Sequence, residues 1–431
     1  MAFRGRLPLL IRLYRRMTRW AVPFSGAILN WRLKRGKEDA GRVNERKGIA
    51  SIARPEGALI WIHGASVGEV ISMQPLVEYI RKQGFTVLMT SGTVTAAQTV
   101  ATRMPAGTLH QYIPLDAPQF LQSFLDHWRP GLALVAESEF WPNLLIETSN
   151  RNIPVVLVNG RLSQRSFSRW KYAKKNAAAL LSSFDLCLAQ DRDVAERLQQ
   201  LGAKRVLVTG NLKFDVPPPP ADAADMQEMI RTIHGRPVFL AASTHRGEDE
   251  DVIDAHIEVM QKVPSLLTII VPRHPERGGE IAELVQDYQL VPAMRSRNHL
   301  PDRGTNIYVA DTLGELGLFY RLAPIVFMGG SLIKHGGQNP IEPAKLDNAI
   351  LHGPYVHSFT NIYSELNRRH AAATVADAQS LAASLLRLLD DPALVRSMAE
   401  AAHATVIPLS GAVDRTAKAL EPYLVQLRFG Q

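Results

Sequence analysis

The chain contains one cysteine, Cys187, among 431 residues. An internal disulfide and a thiolate-built zinc site are therefore excluded, and a reducing compartment is expected. No uninterrupted stretch of about 20 apolar residues occurs, so a full membrane crossing is not expected. No glycine loop ends in Gly-Lys-Ser/Thr, so there is no P-loop. No repeat of about 20 to 50 residues is visible. Metal-ligand spacing is also missing. Asp191-Arg192-Asp193 imitates a metal-binding DxD but leads into a helix and reads as its cap. His245, His274 and His335 are scattered over separate loops and suit hydrogen bonding better than ligation. No metal and no cofactor are expected. A broad basic surface is lacking too. Residues 1–50 hold 13 of the 49 Lys/Arg and 3 of the 41 Asp/Glu, leaving 36 against 38 for the rest. A nearly neutral body argues against a nucleic-acid partner, and the basic head suggests one end that meets something anionic.

What is present is ordinary globular composition, 46 % apolar and 21 % charged, which sets disorder and fibrous repeats aside. The length predicts two domains or three, enough chain for two sizeable cores. Residues 7–21 read as a helix. At 100° per residue Arg12, Arg15, Arg16 and Arg19 share one face, while Leu7, Leu10, Leu13, Tyr14, Met17 and Trp20 spread over the other. Pro8 fits the first turn. A basic amphipathic helix of this kind lies in a membrane interface, where anionic lipid adds roughly 1 kcal/mol per basic residue. The plainer alternative is a helix packed on its own protein with solvated arginines. The run from Ala21 to Trp31 is apolar but short and broken by Pro23 and Gly26, which suits interfacial or re-entrant burial. The arginines are distributed through the segment, so a signal peptide is not expected.

The body alternates strands and helices. Apolar runs at Ala58–His63, Thr86–Thr90, Leu132–Ala136, Val155–Asn159, Asp185–Ala189 and Val206–Thr209 alternate with helical stretches such as 69–82 and 95–103. This is the βαβ pattern of a parallel sheet covered on both faces. Four consecutive prolines, Pro217–Pro220, make a stiff linker. A second series follows at Val238–Ala242, Leu266–Val271, Ile307–Ala310, Ile325–Met328 and Ile350–His352, with helices such as 249–261 and 277–288. The expected division is a membrane-associating segment 1–50, a Rossmann-like domain 51–216, a linker 217–222 with a hinge near 211–222, a second Rossmann-like domain 223–410, and a closing helix 411–431. Two such halves make an α/β protein with an interdomain cleft, and ligands in such sheets sit outside the carboxyl ends of the strands.

The strand ends carry the chemistry. Ala58–His63 runs into Gly64-Ala65-Ser66-Val67-Gly68-Glu69. The glycines permit close backbone approach, and a helix starts near Ser66. Glu69 in its first turn is either a partner for the helix dipole or a general base. Leu132–Ala136 ends in Glu137-Ser138-Glu139-Phe140-Trp141-Pro142-Asn143. Two carboxylates and an aromatic pair exceed what a turn needs, so at least one of them is expected to function. Asn159-Gly160-Arg161-Leu162-Ser163 ends the next strand, and Gly210-Asn211-Leu212-Lys213-Phe214-Asp215 stands beside the linker, where Lys213 is a point charge suited to a phosphate or carboxylate. In the second half, Ala242-Ser243-Thr244-His245-Arg246-Gly247-Glu248 follows the first strand. Arg273, after Pro272, is either a phosphate ligand or a solvated loop residue. Asp311-Thr312-Leu313-Gly314-Glu315 opens a helix whose amides suit an anion. Gly329-Gly330-Ser331-Leu332 leads to Gly336-Gly337-Gln338-Asn339-Pro340-Ile341-Glu342, which suits a ribose-phosphate pocket in which Glu342 accepts from sugar hydroxyls.

Together these strings closely resemble the 3-deoxy-D-manno-octulosonic acid (Kdo) transferases, the lipid A glycosyltransferases of Gram-negative bacteria. The carrying motifs are His63 to Glu69, Glu137 to Asn143, Gly210 to Asp215, Pro272 to Pro275 and Asn339 to Ala344, in order over about residues 58–345. The resemblance implies a GT-B fold, a CMP-Kdo donor in the C-terminal half and a tetra-acylated lipid A precursor (lipid IVA) as acceptor in the N-terminal half. It implies an inverting single displacement on the cytoplasmic face of the inner membrane. By motif match Glu69 is the base, Glu139 and Lys213 stabilise the transition state, and Pro272, Arg273, Leu313, Gly314, Glu315, Asn339, Pro340, Ile341 and Glu342 bind CMP. The N-terminal segment is less apolar and more basic than the family's usual anchor. Two rival readings are a GT-B glycosyltransferase or epimerase using a UDP-sugar, and a peripheral membrane scaffold without catalysis.

Overall fold

The computed structural model describes residues 7–429. The chain separates into two compact units. One runs to Val216 and takes back the chain from Leu409 onward; the other is Pro217–Pro408.

The first unit begins with α1 (Leu9–Ala21) and, after a short 3-10 turn, α2 (Ser25–Lys34). Its sheet has seven parallel strands: β1 (Leu59–His63), β2 (Thr86–Ser91), β3 (Leu109–Tyr112), β4 (Leu132–Ala136), β5 (Val155–Gly160), β6 (Leu186–Ala189) and β7 (Val206–Val208), in the order 3-2-1-4-5-6-7. Every residue of β1 and β4 is buried, as a sheet covered on both faces demands. One face packs Trp61 on Phe124, ring centroids 4.9 Å apart. The other is covered by α3 (Val67–Lys82), through Met73, Leu76 and Ile80, and by the final helix Ala412–Phe429, through Leu420 and Leu424. The Asp215 carboxylate fastens the start of that final helix by accepting from the Gly411 and Val413 amides at 2.6 and 2.5 Å.

Helix α1 departs from the expected division into one face of four arginines and one apolar face. Arg15 turns inward, 2.6 Å from Glu147 and 3.2 Å from the Asn143 side-chain oxygen, while the Tyr14 hydroxyl donates to Asp116 at 2.9 Å. Glu147 is only 3 % exposed, and a buried carboxylate requires a cationic or hydrogen-bonding partner; that need outweighs solvation of Arg15. Arg12, Arg16 and Arg19 remain exposed, and so do Leu9, Leu10, Leu13, Met17 and Trp20. Packing on its own protein thus occupies one edge of the helix and leaves an apolar and a basic surface uncovered. Among the described residues no helix is long and apolar enough to cross a membrane.

The second unit holds β8 (Val238–Thr244), β9 (Leu267–Pro272), β10 (Pro292–Met294), β11 (Ile307–Val309), β12 (Ile325–Met328), β13 (Ala349–His352) and β14 (Ala372–Thr374), all parallel, in the order 10-11-9-8-12-13-14. Phe239, Ile270, Phe327 and Leu351 centre its core. In each sheet the strand order reverses at the first strand, between β1 and β4 and between β8 and β12. Those switch points leave a crevice at the carboxyl ends, and the polar motifs follow these strands.

Candidate active site at the strand ends

In the first unit the loop after β1 is held from both sides. Gly64 donates to the Thr90 carbonyl at 3.1 Å and Gly92 donates to the Ala65 carbonyl at 2.9 Å. Ser66 caps α3 by accepting from the Glu69 amide, so Glu69 lies in the first turn, as expected, and is half-buried. Its carboxylate accepts from the Ala65 amide at 2.7 Å. Burial raises its proton affinity, the neighbouring charges of Glu139 and Glu137 raise it further, and the Ala65 amide and His63 pull it back only in part. A carboxylate in that state is a stronger base than a solvated one.

The two glutamates after β4 differ in partner. Glu137 sits in the left-handed region at φ 51° and is paired with Lys213, Nζ to Oε1 2.7 Å. Glu139 accepts from the Trp141 indole and lies 3.8 Å from His63 Nε2. Burial alone raises the Glu139 proton affinity, but His63 and Trp141 outweigh it and hold Glu139 below the ordinary glutamate value. The strand ends therefore place a proton-hungry Glu69 in the field of an ionised Glu139. Lys213 does not stand alone as a free point charge; its turn is fixed by Asn211, which accepts from the Lys213 amide, and by Asn159, which accepts from the Leu212 amide at 3.0 Å. Asn159 is fully buried at φ 54°.

Asn143, quoted from the sequence with the motif after β4, serves the N-terminal helix instead. Its amide donates to Asp116 and to Thr18 of α1, and its oxygen accepts from Arg15. Asp191 accepts from the Val194 amide at 2.8 Å and caps Arg192–Gln200, the expected structural role.

In the second unit the loops after β8 and β12 are tied by one residue to which the sequence assigned no role, the last of the motif that follows β8. Glu248 is fully buried. One of its oxygens accepts from His245 and Gly330 amides at 3.0 and 2.6 Å, the other from Ser331 and Leu332 amides at 2.9 Å each. Gly329 permits this closeness, since a Cβ there would lie 2.3 Å from the Ser243 carbonyl oxygen. The histidines are not scattered: the strand order brings the His245 ring to 4.0 Å from that of His335 and 6.0 Å from that of His274. Burial, then the neighbouring His335 and His274, push His245 down to about 4. No group of three or more potential ligands is placed to hold a metal among the described residues.

The remaining candidates sit on adjoining loops of this unit. Pro272 ends β9 and Arg273 is exposed, its amide bound to the Thr244 carbonyl. Leu313 is 72 % exposed and Gly314 turns at φ 89°. Glu315 is clamped by Arg295 at 2.5 Å and by the Thr312 hydroxyl; burial raises its proton affinity, but Arg295 and Thr312 win and hold it low. Arg295 was not foreseen. Asn339 accepts from the Ile341 amide at 3.2 Å, which starts the short helix Ile341–Lys345 containing Glu342.

Residues 41–216 match the family model for 3-deoxy-D-manno-octulosonic-acid transferase (kdotransferase). The chain is 35 % identical over 399 residues to the 3-deoxy-D-manno-octulosonic acid transferase of Haemophilus influenzae, covering 89 % of this chain and 91 % of that one. It is 35 % identical over 416 residues to a probable mitochondrial 3-deoxy-D-manno-octulosonic acid transferase of Arabidopsis thaliana, covering 93 % of each. The fold is shared with a solved glycosyltransferase from Rickettsia africae, TM-score 0.58 at 13 % identity over 88 % of this chain and all of that one. Identity at this level across nearly the whole length establishes the relationship: the chain belongs to the 3-deoxy-D-manno-octulosonic acid transferase family of GT-B glycosyltransferases.

Proposed function

We propose that the chain transfers Kdo from CMP-Kdo to a hydroxyl of a lipid A precursor, lipid IVA, with inversion at the anomeric carbon, on the cytoplasmic face of the inner membrane. The observation that carries this reading is Glu69: a carboxylate of raised proton affinity, half-buried in the first turn of α3 and oriented by the Ala65 amide. It takes the proton of the attacking hydroxyl, a contribution of roughly 10²–10⁴-fold. The bond from the anomeric carbon, C2, to the CMP phosphate oxygen breaks as the acceptor oxygen bonds to C2 from the opposite face, and the electron pair leaves on the phosphate. The ionised Glu139 supports the positive charge that develops at C2. Lys213, anchored on Glu137, and Arg273 supply positive charge toward the donor's phosphate and carboxylate. Pro272, Leu313, Gly314, Glu315 and Asn339 through Glu342 form the CMP site on the loops of the second unit.

The membrane surface enters through α1 and the turn that follows. Leu13, Met17, Trp20 and Phe24 are each more than half exposed, with Arg12, Arg16 and Arg19 beside them. Exposed apolar area of this size flanked by cations suits the interface of an anionic bilayer, where the acyl chains and phosphates of the acceptor are found. The test is mass analysis of lipid IVA after incubation with the protein and CMP-Kdo. Added mass in whole Kdo units supports the reading. Unchanged lipid IVA, with thermal protection by UDP but not CMP, replaces it with a UDP-sugar enzyme.

A further inference from the structure

Arg46 lies outside every motif that pointed to chemistry, yet it is 3 % exposed and fully engaged. It belongs to the short turn Val43–Lys47, which is itself locked: neighbouring Glu45 accepts from Arg42 Nε and Nη2 at 2.9 Å each and from the Tyr112 amide at 2.7 Å. From that fixed base the Arg46 guanidinium stacks on the Tyr112 ring at 4.8 Å. Its Nε donates to Glu38 at 2.8 Å, Nη1 to the Ile113 carbonyl at 3.1 Å and Nη2 to the Gly92 carbonyl at 2.6 Å. Gly92 is the residue whose amide holds the Ala65 carbonyl at 2.9 Å. It approaches so closely that a Cβ would sit 2.9 Å from that oxygen. The opposite side of Ala65, its amide, holds the Glu69 carboxylate at 2.7 Å. At the other end Glu38 also accepts from Arg32 of α2 at 2.6 Å.

We propose that Arg46 is a positioning residue for Glu69. Through Gly92 it fixes Ala65, the residue whose amide aims the base, and through Glu38 it links that residue to α2, whose Ile28 and Trp31 are exposed. The inference rests on the reading of Glu69 as the base. A guanidinium does here what an ammonium cannot: one planar fork meets a carboxylate and two carbonyls at once. A displacement of about 1 Å in a reacting group costs up to about 10²-fold, so loss of this fork reads out in turnover rather than donor affinity.

Two variants test it by separate routes. Arg46→Lys keeps a cation on Glu38 but gives up the fork. Gly92→Ala leaves the Arg46–Glu38 pair intact and presses directly on the Ala65 carbonyl. Each is expected to lower kcat at least about tenfold, with KM for CMP-Kdo and binding of CMP unchanged. Each also moves the acid limb of the pH–kcat/KM profile to higher pH, because a weakened Ala65 bond leaves Glu69 holding its proton more tightly. The double variant loses little beyond the worse single variant, because both act through Ala65. Unchanged kcat, an unmoved acid limb beside lowered stability, or additive losses would each reduce Arg46 to a structural role and overturn the proposal. Glu69→Gln is run in parallel. Parent-like turnover there removes the base assignment and this inference together; loss of turnover there with parent-like Arg46→Lys and Gly92→Ala removes only the positioning role.

Discussion

Glu248 holds the glycine loop of the second unit by four backbone amides, two on each carboxylate oxygen. Substitution by glutamine keeps shape and volume but replaces one oxygen by an NH2 group, which cannot accept. Whichever way the amide turns, two buried N–H donors lose their partner. An orphaned buried donor costs about 1–3 kcal/mol, so Glu248→Gln should destabilise by about 2–6 kcal/mol, a large share of the roughly 5–15 kcal/mol that holds a domain together. The damage is local to the loop that runs from Gly329 to Asn339 and Glu342. Disordering it should therefore weaken CMP before the unit unfolds. The assay pairs chemical denaturation with calorimetric titration of CMP at 15 °C, where the variant stays folded. A drop in the denaturation midpoint together with at least about tenfold weaker CMP, equivalent to about 1.4 kcal/mol, is expected. A variant that denatures like its parent and binds CMP equally refutes the assignment of Glu248 as the clamp of a nucleotide loop.

Two further outcomes follow from the same geometry. His110, His245 and His256 are held neutral in the fold, at about 3, 4 and 4, chiefly by burial. A depressed folded pKa contributes stability that is complete above the unfolded value near 6.5 and is lost as pH falls toward the folded value. Stability should thus drop between pH 6.5 and 5, by about 1–2 kcal/mol for buried His256 alone, lowering the melting temperature, and His256→Gln should flatten that slope; a melting temperature constant over this interval contradicts the burial argument. At the N-terminus, Leu13→Gln, Met17→Gln and Trp20→Gln combined leave the Arg15–Glu147 anchor in place and remove exposed apolar surface. Sedimentation with anionic vesicles should fall at least tenfold, at about 1.5–3 kcal/mol per apolar side chain withdrawn from water, without loss of folding; undiminished sedimentation places the lipid contact elsewhere.

The strands legible in the sequence are the buried ones. β1, β4, β5, β8, β12 and their neighbours are continuous apolar runs, which burial on both faces enforces. Strand β3 carries His110 and Gln111, and β10 and β14 have three residues each. Short edge strands with mixed side chains give no run to detect, and these three were missed. The motifs after β1 and β4 were legible because a parallel sheet delivers strand ends to one crevice, so Glu69, Glu137 and Glu139 read together. What stayed hidden depends on strand order. His245, His274 and His335 meet because β8 lies between β9 and β12, a fact that no local spacing carries. Glu248 and Arg46 act through backbone amides and carbonyls, which leave no pattern in side-chain chemistry. Arg15 was placed with Arg12, Arg16 and Arg19 on the basic face because helical periodicity cannot register a buried carboxylate at Glu147.

The central claim is that Glu69 accepts the acceptor's proton. Single-turnover kinetics of Glu69→Gln with saturating CMP-Kdo measures it most directly, since glutamine retains an oxygen for the Ala65 amide but has no basic lone pair of comparable strength. The account predicts a loss of about 10²–10⁴-fold in the chemical step, with melting temperature and CMP affinity at parent values and the acid limb of the pH profile gone. Turnover within a factor of two of the parent, with that limb still present, would contradict it.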